Sequence, residues 1–125
     1  MKFSTKAEYG LRAIVYLAKT TKPVSLASIA KKEGLSLAYL ERLFAMLKKA
    51  ELVKSFKGVK GGYVLARPAV KIKVGEVIEV LEGSLYKMDC KDCTVCKCLV
   101  HPVWEKLYKQ IDKTLNSISL SSLVK

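Results

Sequence analysis

The chain has 125 residues, half of them apolar, and a formal net charge of +12. That supplies enough apolar material for one core, and the absence of any apolar run near the roughly 18 residues of a membrane-spanning helix excludes a helical membrane protein. Lys6, Glu8 and Arg12 interrupt the stretch where a secretory signal would need continuous apolar residues, so the expected compartment is the reducing cytoplasm.

The charge is unevenly placed. Residues 1–73 hold 16 Lys/Arg against 4 Asp/Glu, and residues 74–125 hold 7 of each, so the whole excess lies in the first part. A basic block of this kind is the footprint of a polyanion-binding module, because Lys and Arg displace counterions from a phosphate backbone. The division predicts a DNA-binding domain over 1–73 and a second functional region over 74–125.

In chain order, Ser4 is expected to cap a first helix in which Ala7, Leu11, Ile14, Val15 and Ala18 recur at helical spacing, ending near Thr20 and Thr21 before Pro23. Ser25 caps a short second helix through Leu26, Ile29 and Ala30, with Gly34 where a left-handed residue ends it. Ser36 caps a third, with Leu37, Leu40, Phe44 and Leu47 predicted on its buried face. The last two, joined by a tight turn, form a helix-turn-helix that leaves Ala38, Tyr39, Glu41 and Arg42 on or near its open face.

Residues 52–57 alternate as a strand, and residues 63–66 can pair with them. The Gly58–Gly62 tip between them carries Lys57 and Lys60; glycine such as Gly61 lets the main chain approach a sugar-phosphate backbone that the lysines neutralise. The predicted fold class is mainly α with a small β-hairpin wing, a winged helix-turn-helix.

Beyond Pro68, residues 74–81 read as a fourth helix stopped at Gly83. A long helix then starts near Pro102 and runs to about Asn116, with Trp104, Leu107, Tyr108, Ile111, Leu115 and Ile118 as a near-heptad seam. Such a stripe is core or dimer seam; a homodimer is expected, presenting two recognition helices to a pseudo-palindromic operator. Ser119 is expected to cap a last turn through Leu120 and Leu123.

All four cysteines, Cys90, Cys93, Cys96 and Cys98, fall within nine residues and precede the single histidine, His101. Core packing does not gather every sulfur of a chain into one stretch, so three chemistries compete: a metal cluster, zinc, or thiol exchange. The spacing from Cys90 to Cys96 matches the opening of a ferredoxin ligand run, but Cys98 follows too soon to complete it. Zinc usually joins two separated ligand pairs, and here no second pair exists beyond Cys98 and His101. Iron–sulfur is the favoured reading. A zinc-binding or thiol-switch regulator is the alternative, and an electron carrier would leave the basic block unexplained. With one histidine and no motif nucleophile, an enzyme is not expected.

The chain resembles the IscR/NsrR/CymR-type winged-helix regulators of bacteria. The resemblance rests on Met1 to Tyr9, on Ile29-Ala30 before the Gly34 to Glu41 run, on Gly61-Gly62-Tyr63, on Val74 to Ile78, and on Cys98 to His101 with Trp104 following. It implies a dimeric transcription factor whose last long helix is the dimer spine, with a [2Fe–2S] or [4Fe–4S] cluster beside it. It also implies a base-reading role for Glu41, with Ser36, Ala38 and Arg42 at neighbouring contact positions, Lys57 on the wing, and Ser4 and Lys6 completing the DNA-facing set. Arg42 stands where the IscR branch has glutamine, so that branch's operator sequence does not carry over. Glu8 matches the place where some relatives supply a ligand from the partner subunit. The earlier cysteines are more tightly spaced than in relatives, so the ligand set among the four cysteines, His101 and Glu8 stays open.

Overall fold

Three serines or glycines at turns and three apolar stripes dictate most of the architecture. The computed structural model describes residues 3–83 and 99–124. Its elements are α1 (Thr5–Ala18), α2 (Leu26–Glu33), α3 (Leu37–Lys49), β1 (Val53–Phe56), β2 (Gly62–Leu65), α4 (Val74–Glu82) and α5 (His101–Asn116), with single 3-10 turns at Ala69–Lys71 and Leu120–Leu123. The strands form an antiparallel hairpin in which Val53 faces Leu65 and Phe56 faces Gly62. This is the winged helix-turn-helix that the sequence predicts.

Helix boundaries follow local chemistry. The Ser25 hydroxyl accepts from the Ser28 N–H and that of Ser36 from the Tyr39 N–H, while Gly34 adopts φ 67° and gives its N–H to Ala30. Two predicted caps differ. Ser4 makes no side-chain cap, because its hydroxyl turns to Glu82, and the Ser119 hydroxyl pairs with that of Ser121. At the start of α4, the Glu76 carboxylate accepts the Lys73 N–H at 2.9 Å and meets Arg67 at 2.8 Å.

Helix orientation follows the core. On α3 the buried stripe is Leu40, Leu43, Phe44 and Leu47, whereas Leu37, expected in it, is 42% exposed. By spacing Leu37 shares the face of Leu40 and Phe44, but it is the first residue of α3, one turn before the first buried position. Each such side chain contributes roughly 1.5–3 kcal/mol on burial, so rolling α3 to expose all four would cost roughly 6–12 kcal/mol. The core therefore sets the roll, and the caps, at about 1 kcal/mol each, set only the ends.

One core spans the charge boundary after Lys73. Ile72, Val74, Val77, Ile78, Leu81 and Leu120 are buried with Ala7, Ala13, Ile14 and Leu17 of α1 and with the α3 stripe. The C-terminal turn is tied in by backbone bonds from Val74 N–H to Ile118 and from Leu120 N–H to Ile72, at 2.8 and 2.9 Å. The predicted seam of α5 accordingly divides: Leu115 and Ile118 pack on this core, while Trp104 and Leu107 remain exposed.

The tightest helix contact joins α1 to α4. Gly10 is buried, and a Cβ there would collide with the Leu81 side chain, itself 2% exposed. Alanine asks only a methyl-sized shift of Leu81 and gains helix propensity, so the larger, β-branched valine is the informative change. Gly10→Val should lower the free energy of unfolding by about 1–3 kcal/mol through overpacking, measured by chemical denaturation.

Candidate DNA-binding surface and cysteine segment

The turn between α2 and α3 closes with the Leu35 N–H on the Ala30 carbonyl at 3.0 Å, which fixes the angle at which α3 leaves the body. With its buried stripe turned inward, α3 exposes Ala38, Glu41 and Arg42 together, and Ser36 is exposed at its N-terminus. Tyr39 is half-buried and differs from its neighbours in being held from α1. Its phenol oxygen lies 3.4 Å from the Thr5 hydroxyl, and its ring meets Tyr9 edge-to-face, centroids 6.3 Å apart. The Arg42 guanidinium carbon stands 5.9 Å from the centre of the Tyr39 ring, as Arg12 stands 5.6 Å from that of Tyr9.

The wing is anchored to the same body. Val24, just before α2, and Tyr63 of β2 exchange both backbone hydrogen bonds at 2.9 Å, and the Tyr63 ring meets Phe44 of α3 edge-to-face at 5.1 Å. Two glycines make this approach possible. A side chain at Gly61 would collide with the Phe56 carbonyl, and one at Gly62, where φ is 152°, with Val24. Gly61 thus has a steric role in shaping the hairpin. Lys57 and Lys60 are exposed on either side of the tip.

The remaining candidates lie apart from this face or are otherwise engaged. Lys6 and Glu8 are exposed on the first turn of α1, and the Ser4 N–H and hydroxyl both reach the Glu82 carboxylate, the N–H at 2.6 Å. Arg12 pairs with Glu33 at 2.8 Å, and Glu33 also accepts from the Tyr16 hydroxyl; that bond, with burial, holds the Tyr16 phenol above its ordinary range. His101 opens α5, its Nε2 3.5 Å from Glu105, whose carboxylate lies below the usual range because Lys109 donates to it. Cys90, Cys93, Cys96 and Cys98 lie outside the described residues. Among the described residues no three His, Cys, Asp or Glu side chains gather as metal donors.

Thr5, Tyr9, Arg12 and Glu82 form contacts that the sequence reading passes over. Tyr9 and Arg12, one turn apart on α1, carry the only local signal of them.

Residues 3–125 match the model of a family described as Rrf2, iron-dependent transcriptional regulator. The chain belongs to the Rrf2 family. It is 40% identical over 130 residues to the HTH-type transcriptional regulator IscR of Klebsiella pneumoniae, an alignment covering 99% of this chain and 80% of that protein. Its fold is similar to solved structures of T. potens IscR, with TM-score 0.82, 47% identity and coverage of 99% and 86%, and of CymR, the global cysteine regulator of B. subtilis, with TM-score 0.82, 36% identity and coverage of 99% and 96%. The chain is therefore a transcriptional regulator of the Rrf2 type with a DNA-binding winged helix, in a family of regulators and not of enzymes.

The α3 start depends on a short-range bond, and that dependence is measurable in this Rrf2 chain. Ser36→Ala removes the acceptor for the Tyr39 N–H and should destabilise the fold by about 1 kcal/mol in chemical denaturation, whereas Ser36→Asp should leave it near the starting value.

Proposed function

We propose that the chain acts as a homodimeric DNA-binding regulator, a repressor, whose operator affinity is set by an iron–sulfur cluster held in the cysteine segment. The observation that carries the DNA-binding half is the α3 face: Ala38, Glu41 and Arg42 exposed side by side, with lysines on a wing fixed to the same body. In this reading Glu41 accepts from a cytosine amino group and Arg42 donates to a guanine edge, while Ser36, Tyr39, Lys57, Lys60 and the main chain at Gly61 meet the backbone. Lys6 flanks this set, and Ser4 acts from the α1 start through its neighbours.

Pairing of two copies along α5 is supported by Trp104 and Leu107, 44% and 39% exposed, and by a hollow of about 220 Å³ lined by Phe3, Gln110, Ile111, Thr114 and Leu115. A symmetric pair would present two α3 helices to a pseudo-palindromic duplex.

Four thiolates within nine residues suit an iron–sulfur centre, and Cys90, Cys93, Cys96 and Cys98 would hold it, with His101 and the partner's copy of Glu8 as further candidate ligands. Such a cluster supplies a group whose presence depends on iron and oxidation. The chain's own part is to convert the order of the cysteine segment into the placement of α4 and α5, which flank it in sequence. A regulator working this way belongs in the cytoplasm, where thiols stay reduced.

Two measurements test these halves separately. Lys57→Ala should weaken binding to all duplexes about equally and flatten the dependence of log affinity on log salt by about 0.9, with no change in base preference. Unchanged affinity and slope would remove Lys57 from the interface. Protein purified without oxygen should contain iron and absorb visible light, and Cys93→Ser with Cys98→Ser should abolish the band and shift operator affinity about tenfold or more. Zinc in place of iron, or no metal with affinity governed by thiol oxidants, would establish the alternative chemistry.

A further inference from the structure

Glu82 is the last residue of α4, separated from the cysteine-containing stretch only by Gly83 and residues 84–89 of its lead-in. Its carboxylate takes both the main-chain N–H and the hydroxyl of Ser4, the residue at which α1 begins. An α-helix start carries unpaired N–H groups and a partial positive charge, and a carboxylate there is favoured. Glu82 therefore takes the N-cap N–H from α4, the part that a glutamate at the third helical position plays in a capping box. The next residue, Thr5, contacts the Tyr39 phenol, and Tyr9 braces the same ring from one turn along. Tyr39 in turn lies beneath Arg42, one turn further on the exposed face of α3. A guanidinium resting on a fixed ring keeps its plane oriented and has less freedom to lose when it meets a base edge.

We infer that Glu82 is a positioning residue for sequence readout: by holding Ser4 and Thr5 it fixes Tyr39, and Tyr39 fixes Arg42. The end of α4 is thereby joined to base recognition through α1, without passing through the dimer seam. This rests on the reading that α3 enters the major groove with Arg42 at a base edge.

The test is competitive binding of the full chain to a library of duplexes varied across the operator, at several salt concentrations. Arg42→Ala first identifies the base pairs that Arg42 reads. At those positions Glu82→Ala and Thr5→Val should each reduce discrimination by about threefold to tenfold, a part of what a bidentate contact contributes. Neither should change the salt slope, because phosphate contacts are untouched. Glu82→Gln keeps an acceptor oxygen for the Ser4 N–H and should stay within about twofold of the parent chain. If Glu82→Ala and Thr5→Val both read these positions as the parent does, or lose affinity equally for every sequence, the link is wrong while the assignment of α3 stands. If Arg42→Ala itself leaves the profile unchanged, the groove assignment fails and the link falls with it. Should Glu82→Ala fail to fold, Ser4→Ala, which removes the hydroxyl that Glu82 accepts from, decides the Glu82 step by the same readout, and Thr5→Val decides the step to Tyr39.

Discussion

The crossing of α1 on α4 is the contact on which the placement of the recognition helix against the rest of the body depends. At Gly10 the two helices approach until only a hydrogen fits against Leu81. Close-packed contacts of this kind transmit displacement, because neither side has a void to move into. On one side α1 touches α3 through Thr5 and Tyr9; on the other it is buttressed by α4, which precedes the cysteines in sequence. A glycine at the crossing gives up helix propensity, about 1 kcal/mol against alanine. The return is intimacy between two elements with different duties.

The charge pattern makes sense around that body. The net excess lies in residues 1–73, and ion pairing offsets little of it: Arg12 meets Glu33 and Arg67 meets Glu76, both involving arginines well exposed to solvent. Exposed pairs of this type contribute little to stability. The exposed lysines of the wing and α3 instead add to a field that attracts a polyanion and weakens with salt, and on the proposed function discrimination would fall to the few side chains on the α3 face. On the proposed function, affinity and specificity would be carried by different residues of one body, held together by the Val24–Tyr63 pair and the Phe44–Tyr63 contact.

What the sequence revealed and what it concealed divide along a physical line. Ser25, Ser36 and Gly34 act on backbone groups a few residues away, so their patterns announce both ends of the helix-turn-helix. The hairpin is similarly local, and its two glycines stand beside the strands they allow to close. By contrast, Leu37 shares the periodicity of the buried stripe yet is 42% exposed at the first residue of α3, and periodicity does not tell where along a helix burial begins. The return of Leu120 to the core and the grip of Glu82 on Ser4 join residues far apart in sequence, where periodicity carries no information. Family resemblance supplied an expectation that local chemistry could not, namely that Glu41 reads a base. It was least informative at Cys90 to Cys98, where the spacing departs from that of relatives.

The size of the coupling to be expected follows from the strength of its weakest contact. An effector can move an operator equilibrium only by the free energy it distinguishes between two arrangements of the protein. A hydrogen bond at a solvent-exposed site contributes about 1 kcal/mol, which corresponds to about fivefold in affinity. The Glu82–Ser4 contact alone is therefore suited to tuning, not to switching a gene fully on or off. In the proposed homodimer a larger change would recruit the α5 seam, where rotating one winged helix against its partner alters the spacing of both recognition helices at once and every contact on the operator contributes. If the proposed function holds, two routes of unequal strength would start from one cysteine segment: a fine one through α1 to the bases, and a coarse one through α5 to the geometry of the pair. They act on different observables, since the first changes which sequence is preferred and the second changes how tightly any operator of fixed half-site spacing is held.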